Sequence, residues 1–212
     1  MLWGVPLPIL RCLLAACYLC PPPGGAFRAR PGYTGGMQFV VPEKVVTHFH
    51  LREGDKVGDF GAGSGFFEKT LSRAVGQTGT VYAFEIQKQL VECIADMARR
   101  EHLGNIEVLW CDLEMRGGCT LKNSVLDAGL LSNALFQFGD KETALDEIRH
   151  LLCAGGKLFV IDWSDSFGGM GPQPDAVVKE QDAKALVEQH GFRFERTFPA
   201  GEHHYGLAFR AV

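Results

Sequence analysis

The run Val57-Gly58-Asp59-Phe60-Gly61-Ala62-Gly63-Ser64-Gly65 sets glycines at alternate positions behind an acid and a short β-prone stretch. Glycine lets a backbone take positive φ and approach a ligand closely, because no Cβ stands in the way. A strand feeding such a loop and then a helix is a ligand cradle. Without a ligand it would be only a tight turn, at an entropic cost for every glycine. Asp59 would carry its charge into the same cleft, where an ammonium or a sulfonium would be stabilised once water is excluded.

Two further acids follow at matching places. Glu85 closes the next β-prone run, Thr80 to Ile86, and lies 20 residues beyond Gly65. A carboxylate at that spacing accepts both ribose hydroxyls of a nucleoside. Asp112 closes the third run and can accept from an adenine amino group, with Ile86 or Leu113 against the ring. A turn cap is the plain alternative for Asp112. Ser132 and Asn133 end a fourth run, where strand C-termini open on the crevice of α/β sheets.

These residues need a scaffold that brings strand ends together, and the pattern from residue 42 onward supplies one. Pro42 opens a short helix. Strands are expected at 56–60, 80–86, 106–111, 125–132 and 157–162, and helices at 66–75, 87–102, 140–152 and 175–190. Gly155-Gly156 is expected to close the third of these helices. The runs 192–198 and 204–211 follow each other through a short link, which predicts an antiparallel hairpin. The fold class is α/β: a Rossmann-like three-layer sandwich with a mostly parallel seven-stranded sheet and a C-terminal antiparallel hairpin.

The first 36 residues differ from the rest. They are apolar, then rich in Pro and Gly, and carry Arg11, Arg28 and Arg30 but no acid. The apolar run Cys12–Cys20 is too short to span a bilayer. Leu14-Ala15-Ala16-Cys17 has the look of a lipoprotein cleavage box, but Arg11, Pro6 and Pro8 spoil the flanking regions of a signal peptide. The segment 1–36 is expected to be a disordered tail or upstream sequence outside the fold, with the functional domain at 37–212. The chain carries a net charge of −4, and the part beyond residue 36 has 18 basic and 25 acidic residues, a net of −7. Nucleic acid is therefore disfavoured as a partner, and no stable membrane association is expected. Of the seven Cys, Cys93, Cys111, Cys119 and Cys153 fall in the folded part and are read as reduced thiols. Cys17 and Cys20 form one C-x-x-C without a second ligand pair, so no metal site is expected.

Together these motifs resemble the class I S-adenosylmethionine-dependent methyltransferases. The stretch 59–65 looks like that family's acid-plus-glycine motif, 79–85 like its ribose-binding strand, and 147–158 like the stretch before its fifth strand, with Ala154 where a Pro is usual. The resemblance covers about residues 40 to 212 and is nearest to small bacterial methyltransferase-domain proteins. It implies S-adenosyl-L-methionine as cofactor, held by Asp59, Gly61, Gly63, Gly65, Glu85, Ile86, Asp112, Leu113 and Ser132. The expected activity is methyl transfer to an acceptor whose identity the motifs leave open, a small molecule ahead of protein or RNA.

Methyl transfer needs orientation and desolvation more than a protein nucleophile. A base is required only if the acceptor must lose a proton. Asp162 and His204 are the candidates, with Trp163, Ser164, Asp165, His203 and Tyr205 nearby and Gly168–Pro172 as a candidate lid. Two other readings stand beside this one: an NAD(P)-dependent oxidoreductase on a Rossmann fold, and a non-catalytic nucleoside-binding module. Asp59 speaks against the first, since a carboxylate sits badly beside a pyrophosphate. The cofactor is a cytoplasmic metabolite, so the chain is expected in the cytoplasm, and its oligomeric state stays open.

Overall fold

The structure, a computed structural model, describes residues 39–167 and 171–212. The expectations for residues 1–36, including the C-x-x-C, lie outside the described residues.

The chain enters through a short helix α1 (Pro42–Val45) and a 3-10 turn (Val46–Phe49). Pro42 suits a helix start because its missing N–H is one the first turn leaves unpaired. The order then runs β1 (Lys56–Phe60), α2 (Glu68–Val75), β2 (Thr80–Glu85), α3 (Lys88–Arg100), β3 (Ile106–Trp110), β4 (Leu126–Ser132), α4 (Lys141–Leu151), β5 (Leu152–Trp163), α5 (Glu180–Gln189), β6 (Phe192–Thr197) and β7 (His204–Ala211). The seven strands form one sheet in the order β3-β2-β1-β4-β5-β7-β6. Only β7 runs against its neighbours, pairing antiparallel with both β5 and β6. The number and order of the strands and the terminal hairpin match the sequence expectation.

Side-chain alternation sorts the core into two faces. On one face Val57, Val81, Leu130, Phe159, Ile161 and Ala208 meet Val45, Val46, Phe49, Leu71 and Val75 from α1, the 3-10 turn and α2. Ile94 of α3 packs against Ala83 on this side. On the other face Phe60, Phe84, Leu131, Leu158, Val160, Leu207 and Phe209 meet α4 and α5. The Phe49 and Phe159 rings stack at 4.1 Å, pinning the N-terminal segment to β5. Burying each such ring contributes about 1.5–3 kcal/mol. Central β1 is buried from Val57 to Phe60, so its C-terminal end delivers the glycine loop at the middle of the sheet.

Three expectations are corrected. Strand β5 starts at Leu152, and Gly155-Gly156 lies inside it rather than closing the helix; Leu152 already pairs with Leu126, and the register shifts before Ala128 meets Lys157. Helix α5 starts at Glu180, not at residue 175. Cys111 and Cys119 are joined as a disulfide rather than left as thiols, while Cys153 is a free cysteine. The loop after β3 doubles back and brings the two Cα atoms to 4.8 Å, inside bridging range. Glu147 holds that turn by accepting from the Gly117 N–H at 3.0 Å and the Cys119 N–H at 3.3 Å. Among the described residues no helix is long and apolar enough to cross a membrane.

Candidate functional site

The loop between β1 and α2 takes positive φ at all three alternating glycines: 77° at Gly61, 59° at Gly63 and 85° at Gly65. Left-handed backbone at each explains why glycine recurs there. The Gly61 and Ala62 N–H groups donate to the Phe84 carbonyl, which lashes the loop to the end of β2. A Cβ on Gly63 would meet nothing nearer than 4.0 Å, so its outer side is open; Gly61 and Gly65 back onto Ala134 and Ile94 at 3.1 and 3.3 Å.

Glu85 stands where the spacing places it, at the last residue of β2 and buried. Its carboxylate accepts from the Gly63 N–H at 2.9 Å and the Gln87 N–H at 2.8 Å. The side chain thus braces the glycine loop and keeps further acceptor lone pairs for a ligand diol. Burial raises its pKa, and the Gln87, Gly63 and Ile86 amides pull it back. Beside it Ile86 is 50% exposed, an apolar side chain on the rim fit to lie against a flat ring.

On the next strand end Asp112 uses Oδ1 to accept from the Glu114 N–H at 3.0 Å, the turn-capping role weighed from the sequence. Leu113 is buried in the core beneath it. The Cys111 N–H donates to the Glu85 carbonyl, which ties this end to β2. Asp59 is 2% exposed and lies close enough to Glu85 for the two charges to interact. Burial pushes it up to about 7, the neighbouring Glu68 carboxyl holds it down, and the Glu85 charge raises it again. Glu68 was not among the residues expected here. Its sequence signal is an acid in line with Leu71 and Val75, on the helix stripe that should be apolar.

The buried polar atoms left without a partner among the described residues are Glu68 Oε1 and Oε2, Ser132 Oγ, Asn133 Oδ1 and His204 Nε2. They occur on α2, at the end of β4 and at the start of β7. The pairing pattern brings the end of β4 and the start of β7 to the same end of the sheet as the C-terminus of β1, which leads through the glycine loop to α2. Buried polar atoms are normally paired, so this concentration fits a surface that a polar ligand completes. Asn133 also has φ 53°, an uncommon value for a residue with a Cβ.

At the β5–β7 end the two acceptor-side candidates differ. Asp162 is buried, with Oδ2 accepting from the Phe136 N–H at 3.2 Å and Oδ1 from the Trp163 N–H at 2.8 Å. Its burial pushes it up to about 7; Oδ2 holds the loop after β4, and Oδ1 caps the end of its own strand. His204 lies with its ring 4.2 Å from Trp163, and its Nδ1 contacts the Glu202 carbonyl at 2.8 Å. That contact requires a proton on Nδ1 and leaves Nε2 as the bare nitrogen. Burial lowers the His204 pKa, which favours the neutral ring. Around it His203 stacks on Phe167 at 4.1 Å and contacts Asp165 at 2.9 Å, and Phe39 lies 6.4 Å from Trp163. Of the candidate lid, Gly168, Gly169 and Met170 lie outside the described residues. Gly171 has φ 71°, and a Cβ there would meet the Trp163 indole at 2.6 Å. Two shallow grooves, beside Glu43 and Arg73 and beside Arg116 and His150, lie apart from these strand ends.

A family model described as a methyltransferase domain matches residues 58–160, from the acid–glycine loop to the middle of β5. The ubiquinone/menaquinone biosynthesis C-methyltransferase UbiE of Haemophilus ducreyi is 31% identical over 115 residues, which is 54% of this chain and 43% of that protein. Its namesake from Chromobacterium violaceum is 27% identical over 139 residues, 66% of this chain and 55% of that one. The chain spans about half the length of these curated relatives. Among solved structures, a SAM-dependent methyltransferase from Aquifex aeolicus superposes with a TM-score of 0.76 at 28% identity, covering 82% of this chain and 91% of that one. The [4+2]-cyclase SpnF superposes with a TM-score of 0.72 at 14% identity over 96% and 94% of the two chains, a likeness of fold alone. The glycine loop, the strand-end acids and these relatives agree against the oxidoreductase reading, and over residues 58–160 the chain is similar to S-adenosylmethionine-dependent methyltransferases.

Proposed function

We propose that the chain moves a methyl group from S-adenosylmethionine to a small-molecule acceptor bound between the glycine loop and the paired ends of β5 and β7. The observation that carries this is Glu85, a buried strand-end carboxylate that braces a three-glycine loop of positive φ. When bound, the cofactor supplies an electrophilic methyl on a positive sulfur. Glu85 accepts the ribose hydroxyls. Ile86 and Leu113 flank the adenine, and the second oxygen of Asp112 faces its amino group. Gly61, Gly63 and Gly65 let the backbone close on the amino-acid end, with Asp59 beneath it as the balancing charge. Ser132 Oγ and Asn133 Oδ1 are the unpaired groups that the ligand satisfies. In this reading Asp162 shapes the loop after β4, and His204 Nε2 is the proton acceptor at the far end.

A small acceptor is favoured by the net negative charge, which gives no general attraction to nucleic acid. The aromatic wall of Phe39, Trp163 and Phe167 suits an apolar, planar compound, in line with relatives named for quinone biosynthesis. The reading places the chain in the cytoplasm, where the cofactor is made, and takes residues 37–212 as the functional domain. Thermal-shift titration with S-adenosylmethionine, S-adenosylhomocysteine and NADH tests it. The first two should raise the unfolding midpoint and NADH should not. A shift with NADH alone would overturn the assignment. A labelled-methyl screen of small-molecule extracts then separates an enzyme from a binding module, which would bind cofactor and label nothing.

A further inference from the structure

Glu68 is the first residue of α2 and is fully buried, and neither carboxyl oxygen has a donor in hydrogen-bonding geometry. Its Oε2 lies 3.4 Å from where a Cβ on Gly65 would stand, so the carboxyl sits directly behind the glycine loop. An ionised carboxylate so placed would face a desolvation cost of several kcal/mol, with only the nearby Phe67 and Glu68 amides to offset it. It also faces a second buried acid, Asp59 of β1, and two carboxyls attract only when one of them keeps a proton. The proton belongs on Glu68: burial first, and then the Asp59 charge, raise its pKa well above the usual range, and the Phe67 and Glu68 amides are outweighed. The groups packed on Asp59 from other elements are Glu68 of α2 and Glu85 of β2. The α3 side chains nearest Gly65, Ile94 and Met97, are apolar.

We propose that Glu68 is a positioning residue: as a neutral carboxylic acid it donates a hydrogen bond to Asp59 and so presents Asp59 as an oriented carboxylate to the cationic amino-acid end of the cofactor. This rests on the cofactor assignment above. Glu68 does not touch the ligand; it acts through Asp59. Docking of the ammonium end draws Asp59 into its ionised form, and the Asp59 proton leaves to solvent. Glu68 keeps its own proton throughout.

Calorimetric titration of the full chain across about pH 6 to 8 tests this, with S-adenosylhomocysteine as ligand. The control is 5′-methylthioadenosine, which has the nucleoside but no amino-acid end. With Asp59 titrating at about 7, homocysteine-ligand affinity should rise roughly tenfold over that range, while the control stays flat. Glu68→Gln keeps a neutral donor and should follow the wild-type profile. Glu68→Leu removes the donor, so affinity at pH 7 should fall roughly fivefold and still be climbing at pH 8. A flat wild-type profile overturns the proposal, and so does a Gln variant as weak as the Leu variant. Should the Leu variant not fold, the wild-type profile and the Gln variant decide. Failure of both ligands to bind the wild type would remove the cofactor assignment and this proposal with it, a result distinct from a flat profile.

Discussion

Replacing Gly63 by alanine separates the loop's part in binding from its part in folding. At φ 59° the new side chain is strained by about 1–2 kcal/mol, the cost of left-handed backbone for an L-residue. Nothing else among the described residues opposes it, because the nearest of their atoms to the added Cβ is the Gly61 carbonyl oxygen at 4.0 Å. For a domain of this size that strain lowers the midpoint by roughly 2–8 °C. The same methyl projects into the space assigned to the ligand. Overpacking costs about 1–3 kcal/mol, or roughly a ten- to hundredfold loss of affinity. Differential scanning fluorimetry reads both terms at once. At a concentration of S-adenosylhomocysteine near 100 times the wild-type Kd, the ligand stabilises the wild type by about 2.7 kcal/mol and the variant by only about 0.4–1.4. A variant that folds and keeps the full ligand shift would refute the cradle. A variant that does not fold would contradict the open space beside Gly63.

Two further outcomes follow from other parts of the molecule. His204→Phe keeps a ring against Trp163 but removes Nε2, so turnover of an acceptor found in the methyl screen should drop about 10²–10⁴-fold with S-adenosylhomocysteine binding unchanged; equal rates would exclude His204 as the proton acceptor. The Cys111–Cys119 bridge closes a loop with a sequence separation of 8, which stabilises the fold by about 2–3 kcal/mol through loop-closure entropy. Dithiothreitol should therefore lower the wild-type melting midpoint and leave that of the Cys111→Ala, Cys119→Ala double variant unchanged; equal responses would mean the bridge does not hold in solution.

Alternating glycines, a strand-end acid 20 residues on, and seven β-prone runs were legible without any structure, because each depends on local chemistry. Glycine tolerates positive φ whatever surrounds it, and a period of two marks a strand wherever the strand lies. Which of the two candidates Asp162 and His204 is free was not legible: it depends on contacts with Phe136 and Glu202, set by the sheet face each occupies. The Cys111–Cys119 pair was misread for the same reason, because a loop's reversal is a property of its neighbours, here Glu147.

Glu68 shows the division most clearly. Its place on the buried stripe of α2 is written in the sequence as an acid where Leu71 and Val75 set an apolar period. Its protonation, and hence its use, is decided only when α2 packs on β1 and brings a second carboxyl against it. Local sequence determines backbone conformation and the kind of group offered. Burial and proximity to other charges, which determine whether that group is an acid, a base or a neutral donor, arise only when distant segments meet.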